Sequence, residues 1–294
     1  MGGVDSVAVE HLLRLRPRLV PRIWGGRRLV ERFGGSISEP VGEAWMVYDE
    51  NEVLDGPYAG RPLKEVLAEL GEAFLGPRSV SRYGLELPLL VKLLETTKWL
   101  SVQVHPDDDY ARAVEAHTGF RGKSEAWVIL DAGPGAEIVY GVNRPVTRDE
   151  LLEAARDGTI LDLLNFVPVK SGDVIYVPAG TIHALGPGLF VYEVQQRSDL
   201  TYRLYDFGRG RELHLDKALE VARLEPQTLE KRSLSHGIFL RTPFFQLALR
   251  EGSVAAPEDS FLTVTDPWGK DPGEVLAAGA RVRFSSGPRI TAGL

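Results

Sequence analysis

Short apolar runs, separated by glycines and prolines, recur along most of the chain. Several have the length and the β-branched or aromatic content of strands: EAWMVYD, LSVQVH, EAWVILD, EIVYGV, DVIYVPAG, LFVYEVQQ and TYRLYDF. Many short strands at this spacing indicate a β-sandwich or barrel rather than alternating βαβ units. No glycine-rich nucleotide-binding motif follows any of these runs, which argues against a nucleotide-binding fold.

Other stretches have the apolar spacing of helices. Residues 62–76 are amphipathic and end in a glycine, which predicts a helix that stops there. Residues 147–167 open with Thr147 and Glu150 in capping-box register and predict a second helix. A third is predicted over residues 216–225, with Asp216 as its N-cap.

Two polar segments complete the pattern. The acidic triplet at residues 107–109 is placed to cap a short helix and to complement its dipole. The stretch around residues 224–236 lacks strand character and is interpreted as a linker. The predicted domains are therefore residues 1–225, which form the larger β domain, and residues 226–294, which form a small C-terminal β domain.

The bulk composition narrows the possible functions. The 294 residues carry a net charge of -7 and contain no cysteine. An acidic chain without a basic run argues against a nucleic-acid partner, and the lack of cysteine leaves only nitrogen and oxygen ligands for a metal. No apolar run approaches the length of a membrane span, and the first residues show no apolar signal core. We therefore expect a cytoplasmic protein, either a monomer or a homodimer.

The first candidate for chemistry is LSVQVHPDDDYA, residues 100–111. Side chains alternate along a strand, so Gln103 and His105 share one face while Val104 points to the other. Two potential ligands on one face of a strand make half of a metal site. On its own, this pattern more often reflects a core histidine that is satisfied by a hydrogen bond.

The stretch GDVIYVPAGTIHALG, residues 172–186, changes that interpretation. It follows the pattern G-x5-P-x-G-x2-H and ends at His183. Pro178 ends the donation of strand hydrogen bonds, and Gly180 permits the tight turn that brings His183 back into a barrel. This pattern resembles the second conserved motif of the cupins. The resemblance implies a mainly β cupin jelly roll (a double-stranded β-helix), with a few helices, that holds a metal inside the barrel.

A carboxylate completes the proposed set. Glu125 opens the strand that follows an insertion after the first motif. Taken alone, Glu125 is more often the solvated start of a strand. In cupin order, however, Gln103, His105, Glu125 and His183 provide two imidazoles, one carboxylate and one amide. Such a set suits zinc or another borderline divalent ion and leaves a position for water or substrate.

Longer motifs extend the resemblance to a particular family. LSVQVHPDD, GKSEAW, VPAGTIHALGPGLFVYEVQQRSDLTYRLYDFGR and LHLDKALEV together resemble the type I phosphomannose isomerases, of the short bacterial or archaeal kind. Upstream, PRIWGGRRL and VGEAWMV resemble the N-terminal motifs of that family. The resemblance covers about residues 20–225, and the last 60 residues match only diffusely. Ser124 departs from the family, since many relatives have proline there.

The family resemblance also implies roles for individual residues. It implies one Zn²⁺ per chain, held by Gln103, His105, Glu125 and His183. It further implies that Arg203 is a catalytic arginine and that Lys123 lies beside the metal carboxylate. Glu193 matches a carboxylate on the strand after the second metal histidine. Ser101 and Lys92 match positions that face the substrate or its phosphate.

The implied activity is a metal-dependent interconversion of mannose 6-phosphate and fructose 6-phosphate through an enediolate. A base must then move a proton between C1 and C2. Glu193 is the first candidate for this base and Lys123 is the second. Arg203 can neutralise the developing oxyanion or grip the phosphate. The structural alternative for Arg203 is a salt bridge to Asp199 or Asp206.

Two rival functions stay open at this point. One is a cupin whose metal drives oxygen chemistry, although such enzymes usually have more histidine ligands. The other is a non-catalytic or differently specific cupin that binds a sugar or sugar phosphate. Among the other polar and aromatic residues, we expect surface roles for His117 and His214 and packing roles for Trp24, Trp45 and Trp127.

Overall fold

The computed structural model describes residues 11–284 and 287–294. The mainly β character predicted for the chain is confirmed. In chain order the strands are β1 (Leu12–Leu15), β2 (Arg18–Gly26), β3 (Val41–Val47), β4 (Leu89–Thr96), β5 (Val102–Val104), β6 (Glu125–Ala132), β7 (Glu137–Val142), β8 (Leu164–Pro168), β9 (Asp173–Val177), β10 (His183–Leu185), β11 (Leu189–Gln196), β12 (Tyr202–Tyr205), β13 (Arg232–Ser233), β14 (Gly237–Arg241), β15 (Gln246–Arg250), β16 (Ser253–Ala255), β17 (Leu262–Thr265), β18 (Gly273–Leu276), β19 (Arg281–Arg283) and β20 (Arg289–Gly293).

Helices are fewer and short. The α-helices are α1 (Arg28–Phe33), α2 (Leu63–Leu75), α3 (Pro77–Tyr83), α4 (Asp108–Val114), α5 (Arg148–Asp157) and α6 (Leu215–Val221), and 3₁₀ turns occur at Gly56–Tyr58, Ala116–Thr118 and Thr159–Leu163. Within the described ranges, no helix is long and apolar enough to cross a membrane.

The chain divides into two compact units. The larger comprises residues 19–45 and 89–234, and the smaller consists of the described parts of residues 1–18, 46–88 and 235–294. This division differs from the predicted boundary at residue 225. The segment around residues 224–234 lies in the larger unit, where β13 pairs with β9, and β1 joins the smaller unit because it pairs in register with β18.

The larger unit contains the jelly roll. One sheet has the order β12-β5-β10-β7-β8, and the other has the order β13-β9-β6-β11-β4-β3-β2. Apolar side chains from the facing surfaces of both sheets form a shared core, which includes Trp24, Leu94, Trp127, Ile129, Ile138, Ile175, Leu185 and Val191. Such a two-sheet sandwich, with a core filled from both inner faces, is the predicted double-sheet architecture.

A second core lies on the outer face of the five-stranded sheet. Val102 and Val104 of β5 and Leu204 of β12 pack there with Leu151 of α5 and Ala218 of α6. Because side chains alternate along β5, the burial of its valines against these helices turns the intervening residue toward the barrel interior. The hydrophobic pattern of β5 therefore fixes the direction of Gln103.

The smaller unit is built on a six-stranded sheet with the order β1-β18-β17-β20-β15-β14, and β16 pairs separately with β19. Helices α2 and α3 also belong to it. The helix predicted over residues 62–76 is confirmed as α2, which ends at Gly76. Gly71 interrupts it, with φ +61° and ψ −147°.

Two of the predicted helix boundaries are wrong. The predicted helix over residues 147–167 stops at Asp157, because Gly158 adopts a left-handed conformation (φ +86°), and residues 159–168 form a 3₁₀ turn and β8. Helix α6 begins at Leu215 after His214, so Asp216 lies in the first turn and is not the N-cap. The carboxylate of Asp216 still complements the helix dipole there.

The capping predictions for α4 and α5 are confirmed. Asp107 accepts a hydrogen bond from the N–H of Tyr110 at the start of α4. At the start of α5, Thr147 Oγ1 accepts one from the N–H of Glu150, at 3.2 Å. These side chains satisfy backbone donors that have no partner within the helix.

Replacement of the Thr147 cap tests this local interpretation. Thr147→Ala should lower the free energy of unfolding by about 1 kcal/mol, because a free N–H at a helix start loses its acceptor. Thr147→Ser keeps the hydroxyl and should retain most of that stability. Urea denaturation of both variants measures the difference, and an equal loss in both would contradict a role of the hydroxyl as the cap.

Candidate functional site

Three buried side chains meet inside the jelly roll. His105 follows β5, Glu125 opens β6 and His183 opens β10, so the group joins both sheets of the sandwich. His105 Nε2 lies 3.3 Å from Glu125 Oε2, and His183 Nε2 lies 3.4 Å from Glu125 Oε1. Their potential ligand atoms all lie within 4.8 Å of one another, and we call these three residues the His–Glu–His cluster.

The turn before β10 places His183 in this cluster. Gly180 has φ +85°, and a Cβ there would come within 3.0 Å of the carbonyl oxygen of Val221, so glycine is required. The N–H of Gly180 donates to the carbonyl of His105 at 2.9 Å, and His183 pairs with Gln103 across β10 and β5. The glycine turn thus holds the two histidine segments side by side.

Backbone carbonyls fix the protonation pattern of both rings. His105 Nδ1 contacts the carbonyl of Leu200 at 2.9 Å, and His183 Nδ1 contacts that of Thr181 at 2.8 Å. A carbonyl only accepts hydrogen bonds, so each Nδ1 carries the proton and each neutral ring directs the lone pair of Nε2 toward Glu125.

Electrostatics keep the cluster in this form. Burial, and then the charge of Lys123, lower the pKa of His105 to about 3, and burial also lowers the pKa of His183. Burial acts to raise the pKa of Glu125, but Lys123 and His105 hold it well below its usual value. Two neutral imidazoles therefore face one ionised carboxylate.

The cluster has the donor chemistry of a metal site. His105 Nε2 and Glu125 Oε2 are buried and lack a hydrogen-bond partner within the part of the chain that the structure describes. Unpaired buried acceptors are costly, and their lone pairs converge on one another. A divalent cation would relieve both costs, and the nitrogen and oxygen donors suit zinc.

Gln103 lies beside the cluster. Its Nε2 is 3.3 Å from His183 Nε2, and its Oε1 accepts from Ser101 Oγ at 3.1 Å. The two ends of an amide are almost isosteric, and a hydroxyl can either donate or accept. Exchange of the two ends would present Oε1 to the cluster while Ser101 kept a hydrogen bond, so Gln103 can serve as a fourth oxygen ligand.

A cavity of about 400 Å³ adjoins the cluster. It brings together all the remaining predicted site residues with several that the sequence did not single out. Its lining consists of Arg22, Trp24, Glu43, Lys92, Leu94, Leu100, Ser101, Gln103, Lys123, Glu193, Asp199, Thr201, Arg203 and Arg211. Lys123 connects it to the cluster, because its Nζ lies 3.4 Å from Glu125 Oε2.

Lys92 and Glu193 form a buried ion pair in the cavity wall. Lys92 Nζ lies 3.2 Å from Glu193 Oε1 and 3.8 Å from Glu43 Oε2. Burial opposes the charge of Lys92, but Glu193 and Glu43 raise its pKa above the usual range. Burial and the charge of Glu125 raise the pKa of Glu193, although Lys92 acts to lower it. Trp127 Nε1 donates to Glu193 Oε2 at 2.9 Å.

Glu43 is a site residue that the sequence analysis missed. Its Oε1 accepts from Arg22 at 2.8 Å, and its Oε2 accepts from the indole of Trp45 at 2.6 Å. Burial acts to raise its pKa, but Lys92 and Arg22 outweigh burial and lower it to about 2. The available signal is a glutamate within an otherwise apolar strand, in a Glu-Ala-Trp triplet like the one that begins at Glu125.

Arg203 lines the cavity without an acidic partner. Its Nη1 donates to the backbone carbonyl of Glu212 at 2.6 Å, and no carboxylate among the described residues forms an ion pair with it. The alternative of a salt bridge to Asp199 or Asp206 is therefore wrong. Asp206 pairs instead with Arg209 and Arg211.

The histidines and tryptophans outside the cluster divide between surface and interior. His117 is exposed, as predicted, whereas His214 is half-buried and has a structural contact that the predicted surface role did not include. His214 Nδ1 accepts from the N–H of Arg203 at 3.2 Å, and its own N–H donates to the carbonyl of Arg203. Trp24, Trp45 and Trp127 are buried, as expected, although Trp24 also lines the cavity.

Known proteins are similar to this chain in both sequence and fold. The family model "Phosphomannose isomerase type I, catalytic domain" matches residues 12–129. A mannose-6-phosphate isomerase of Streptococcus mutans is 40% identical over 250 residues, which cover 79% of this chain and 76% of that protein.

Solved structures extend the match to nearly the whole chain. The crystal structure of the mannose 6-phosphate isomerase from Bacillus subtilis has a TM-score of 0.81 and 33% identity, covering 96% of this chain and 99% of that one. A mannose 6-phosphate isomerase bound with zinc and yttrium has a TM-score of 0.73 at 17% identity, and covers 96% of this chain and 99% of that one. This second likeness is one of fold.

The depressed pKa of Glu43 generates a prediction about stability. A carboxylate whose pKa falls from 4.5 to about 2 on folding stabilises the protein above pH 4.5, and this contribution is lost as the pH falls toward 2. Glu43→Gln should therefore lower the free energy of unfolding at pH 7 by roughly 1–3 kcal/mol. The difference between variant and parent should shrink as the pH falls from 5 toward 3.

Thermal and urea unfolding over that pH range measure the effect. Glu50→Gln is the matched control, because Glu50 pairs with Lys64 at the surface and should contribute less than about 1 kcal/mol. A Glu43→Gln difference that stayed constant from pH 7 to pH 3 would contradict the depressed pKa.

Proposed function

We propose that this chain, which belongs to the type I phosphomannose isomerase family, interconverts mannose 6-phosphate and fructose 6-phosphate. The observation that carries the proposal is the buried His–Glu–His cluster, with unpaired acceptor atoms, beside a cavity that holds Glu193 and several cations. An aldose–ketose isomerase needs a proton carrier and positive charge around an enediolate, and this cavity offers both.

We assign one divalent ion, zinc, to His105, Glu125 and His183, with Gln103 as the fourth ligand. When bound, the ion supplies Lewis-acid stabilisation to the oxygens of the reacting carbons. The neutral rings and the ionised carboxylate are already in the state that metal binding requires.

Glu193 is the residue that we assign as the base. One of its oxygens is fixed by the indole of Trp127 and the other faces Lys92, so the carboxylate is held in one orientation in the cavity wall. It would take the proton from C2 of the aldose and return it to C1. Its raised pKa makes it a stronger base than an ordinary glutamate.

Lys123 has a complementary role in this proposal. Its ammonium contacts Glu125 at 3.4 Å, beside the cluster and in the cavity. An ammonium there can donate and recover the hydroxyl proton that passes between O2 and O1. This assignment leaves the carbon-bound proton to Glu193.

Arg203 is the cation that we assign to the developing negative charge of the enediolate. It reaches the cavity without a carboxylate partner, so its charge is available to the substrate. Lys92 and Ser101, which the family resemblance places near substrate or phosphate, contact Glu193 and Gln103. We propose that Lys92 and Ser101 act mainly by holding those two side chains.

The cytoplasmic location, the lack of a nucleic-acid partner and the state as monomer or homodimer stay predictions.

The activity itself is tested with the purified protein. It should convert mannose 6-phosphate into fructose 6-phosphate, lose the activity with a chelator and regain it with Zn²⁺. His105→Ala and His183→Ala should each lose most of the bound metal, measured by elemental analysis. His117→Ala, at an exposed histidine, is the matched control and should keep both metal and activity.

The outcomes separate the rival functions. Metal-loaded protein that binds mannose 6-phosphate without converting it would favour the non-catalytic sugar-phosphate cupin. Stoichiometric metal in both His105→Ala and His183→Ala would contradict the assigned ligands.

Replacement of Glu193 tests the assignment of the base. Glu193→Gln is nearly isosteric and removes no proposed ligand, so it should retain the metal. Turnover should fall by roughly 10²-fold or more, the usual scale for loss of a general base. Glu153→Gln, on the exposed face of α5, controls for the change of charge. Near-normal turnover in Glu193→Gln would move the base to Lys123.

A further inference from the structure

A short loop after β12 gathers two cations around one buried carboxylate. Asp206 Oδ1 accepts from Arg209 Nη2 at 2.6 Å, and Arg211 donates to both carboxylate oxygens, Nε to Oδ2 at 2.8 Å and Nη2 to Oδ1 at 2.5 Å. Phe207 has φ +53°, and Phe207 is the only non-glycine with positive φ in the described residues. Backbone strain of this kind persists only where surrounding contacts fix the conformation. The loop is therefore rigidly built around Asp206.

The two arginines of this loop differ in what they can still bind. Arg209 is anchored by its Nε to the carbonyl of Asp206 at 2.9 Å and by its Nη1 to the carbonyl of Trp99 at 2.7 Å, and it does not line the cavity. Arg211 lines the cavity, and its Nη1 has no hydrogen-bond partner in the described part of the chain. Asp206 thus orients Arg211 while leaving donors free.

Positive charge in the cavity is unevenly compensated. Lys92 faces Glu193 and Glu43, Arg22 faces Glu43, and Lys123 faces Glu125. In each of these pairs, a carboxylate compensates the positive charge of the cation.

Arg203 and Arg211 also line the cavity. Arg203 has no carboxylate partner in the described ranges, and Arg211 has only Asp206, which it shares with Arg209. Arg203 Nε is buried without a partner in the described ranges. Burial, and then the charge of Arg211, lower the pKa of Arg203, which shows that the two guanidiniums repel each other. Asp199 also lines the cavity but forms no ion pair with either arginine among the described residues. This part of the cavity therefore carries more positive than negative charge, which favours the binding of an anion.

We propose that Arg211 binds the phosphate group of the sugar phosphate and that Asp206 is its positioning residue. A guanidinium can donate two parallel hydrogen bonds to phosphate, and the grip on Asp206 removes the rotamer freedom that such a contact otherwise costs. This assignment rests on the proposed function for its substrate, but not for the anion site itself.

The test compares Arg211→Gln and Arg211→Lys with the parent enzyme. The Michaelis constant for mannose 6-phosphate and the inhibition constant of inorganic phosphate should each rise roughly 10- to 100-fold in Arg211→Gln, the scale for loss of charged hydrogen bonds, while kcat stays within about threefold. Arg211→Lys keeps the charge without the bidentate contact, so both of its constants should lie between those of the parent and those of Arg211→Gln. Arg144→Gln removes an exposed arginine outside the cavity and controls for the loss of charge.

Titration calorimetry of the metal-loaded proteins with inorganic phosphate gives a second readout, and thermal unfolding verifies that each variant is folded. Weaker phosphate binding in Arg211→Gln supports the assignment even if the parent enzyme fails to isomerise mannose 6-phosphate, a failure that would count against the proposed function alone. The assignment of the phosphate to Arg211 would be overturned if the Michaelis constant and the phosphate inhibition constant of Arg211→Gln stayed within about twofold of the parent. A fall in kcat with unchanged affinity for phosphate would also overturn it.

Discussion

Two hydrogen bonds from imidazole nitrogens to backbone carbonyls constrain the rest of the site. The carbonyls of Leu200 and Thr181 accept from the Nδ1 atoms of His105 and His183, which leaves both Nε2 lone pairs directed at Glu125. Three acceptors then converge in a buried space, a situation that a protein tolerates where a cation completes it. The arrangement requires β5 and β10 to be adjacent and the turn at Gly180 to be tight. The jelly roll is thus the scaffold that makes this unfavourable convergence possible.

A second layer of contacts holds the charged groups of the cavity wall. Indole N–H groups of Trp45 and Trp127 donate to Glu43 and Glu193, and Lys92 lies between those two carboxylates. Buried charges are stable only when they are paired and hydrogen-bonded, and each carboxylate here has both kinds of partner. Trp45 and Trp127 therefore do more than pack in the core. They orient the carboxylates while their rings fill the core.

The sequence reveals some of this site because the necessary information is local. Strand alternation places Gln103 and His105 on one face, and a glycine turn followed by His183 is readable within a few residues. Glu43 was missed because the direction of its side chain depends on which sheet neighbours β3. The predicted start of α6 is misplaced because two hydrogen bonds between His214 and Arg203, one of them to the imidazole, fix it. Likewise, the pairing of β1 with β18 joins distant parts of the chain, which no local pattern specifies.

Under the proposed function, the distribution of charge in the cavity sets the orientation of the bound sugar phosphate. Lys92 faces two carboxylates and Lys123 faces one, and this nearby negative charge weakens their attraction for a phosphate dianion. Lys123 therefore suits the reacting carbons, where charge develops only transiently, while Lys92 holds Glu193. Arg211, with donors still free, suits the permanent charge of the phosphate. Arg203 lies between these requirements, since it is unpaired yet close enough to Arg211 to feel its charge. Binding the phosphate at Arg211 would relieve that repulsion and leave Arg203 to the enediolate.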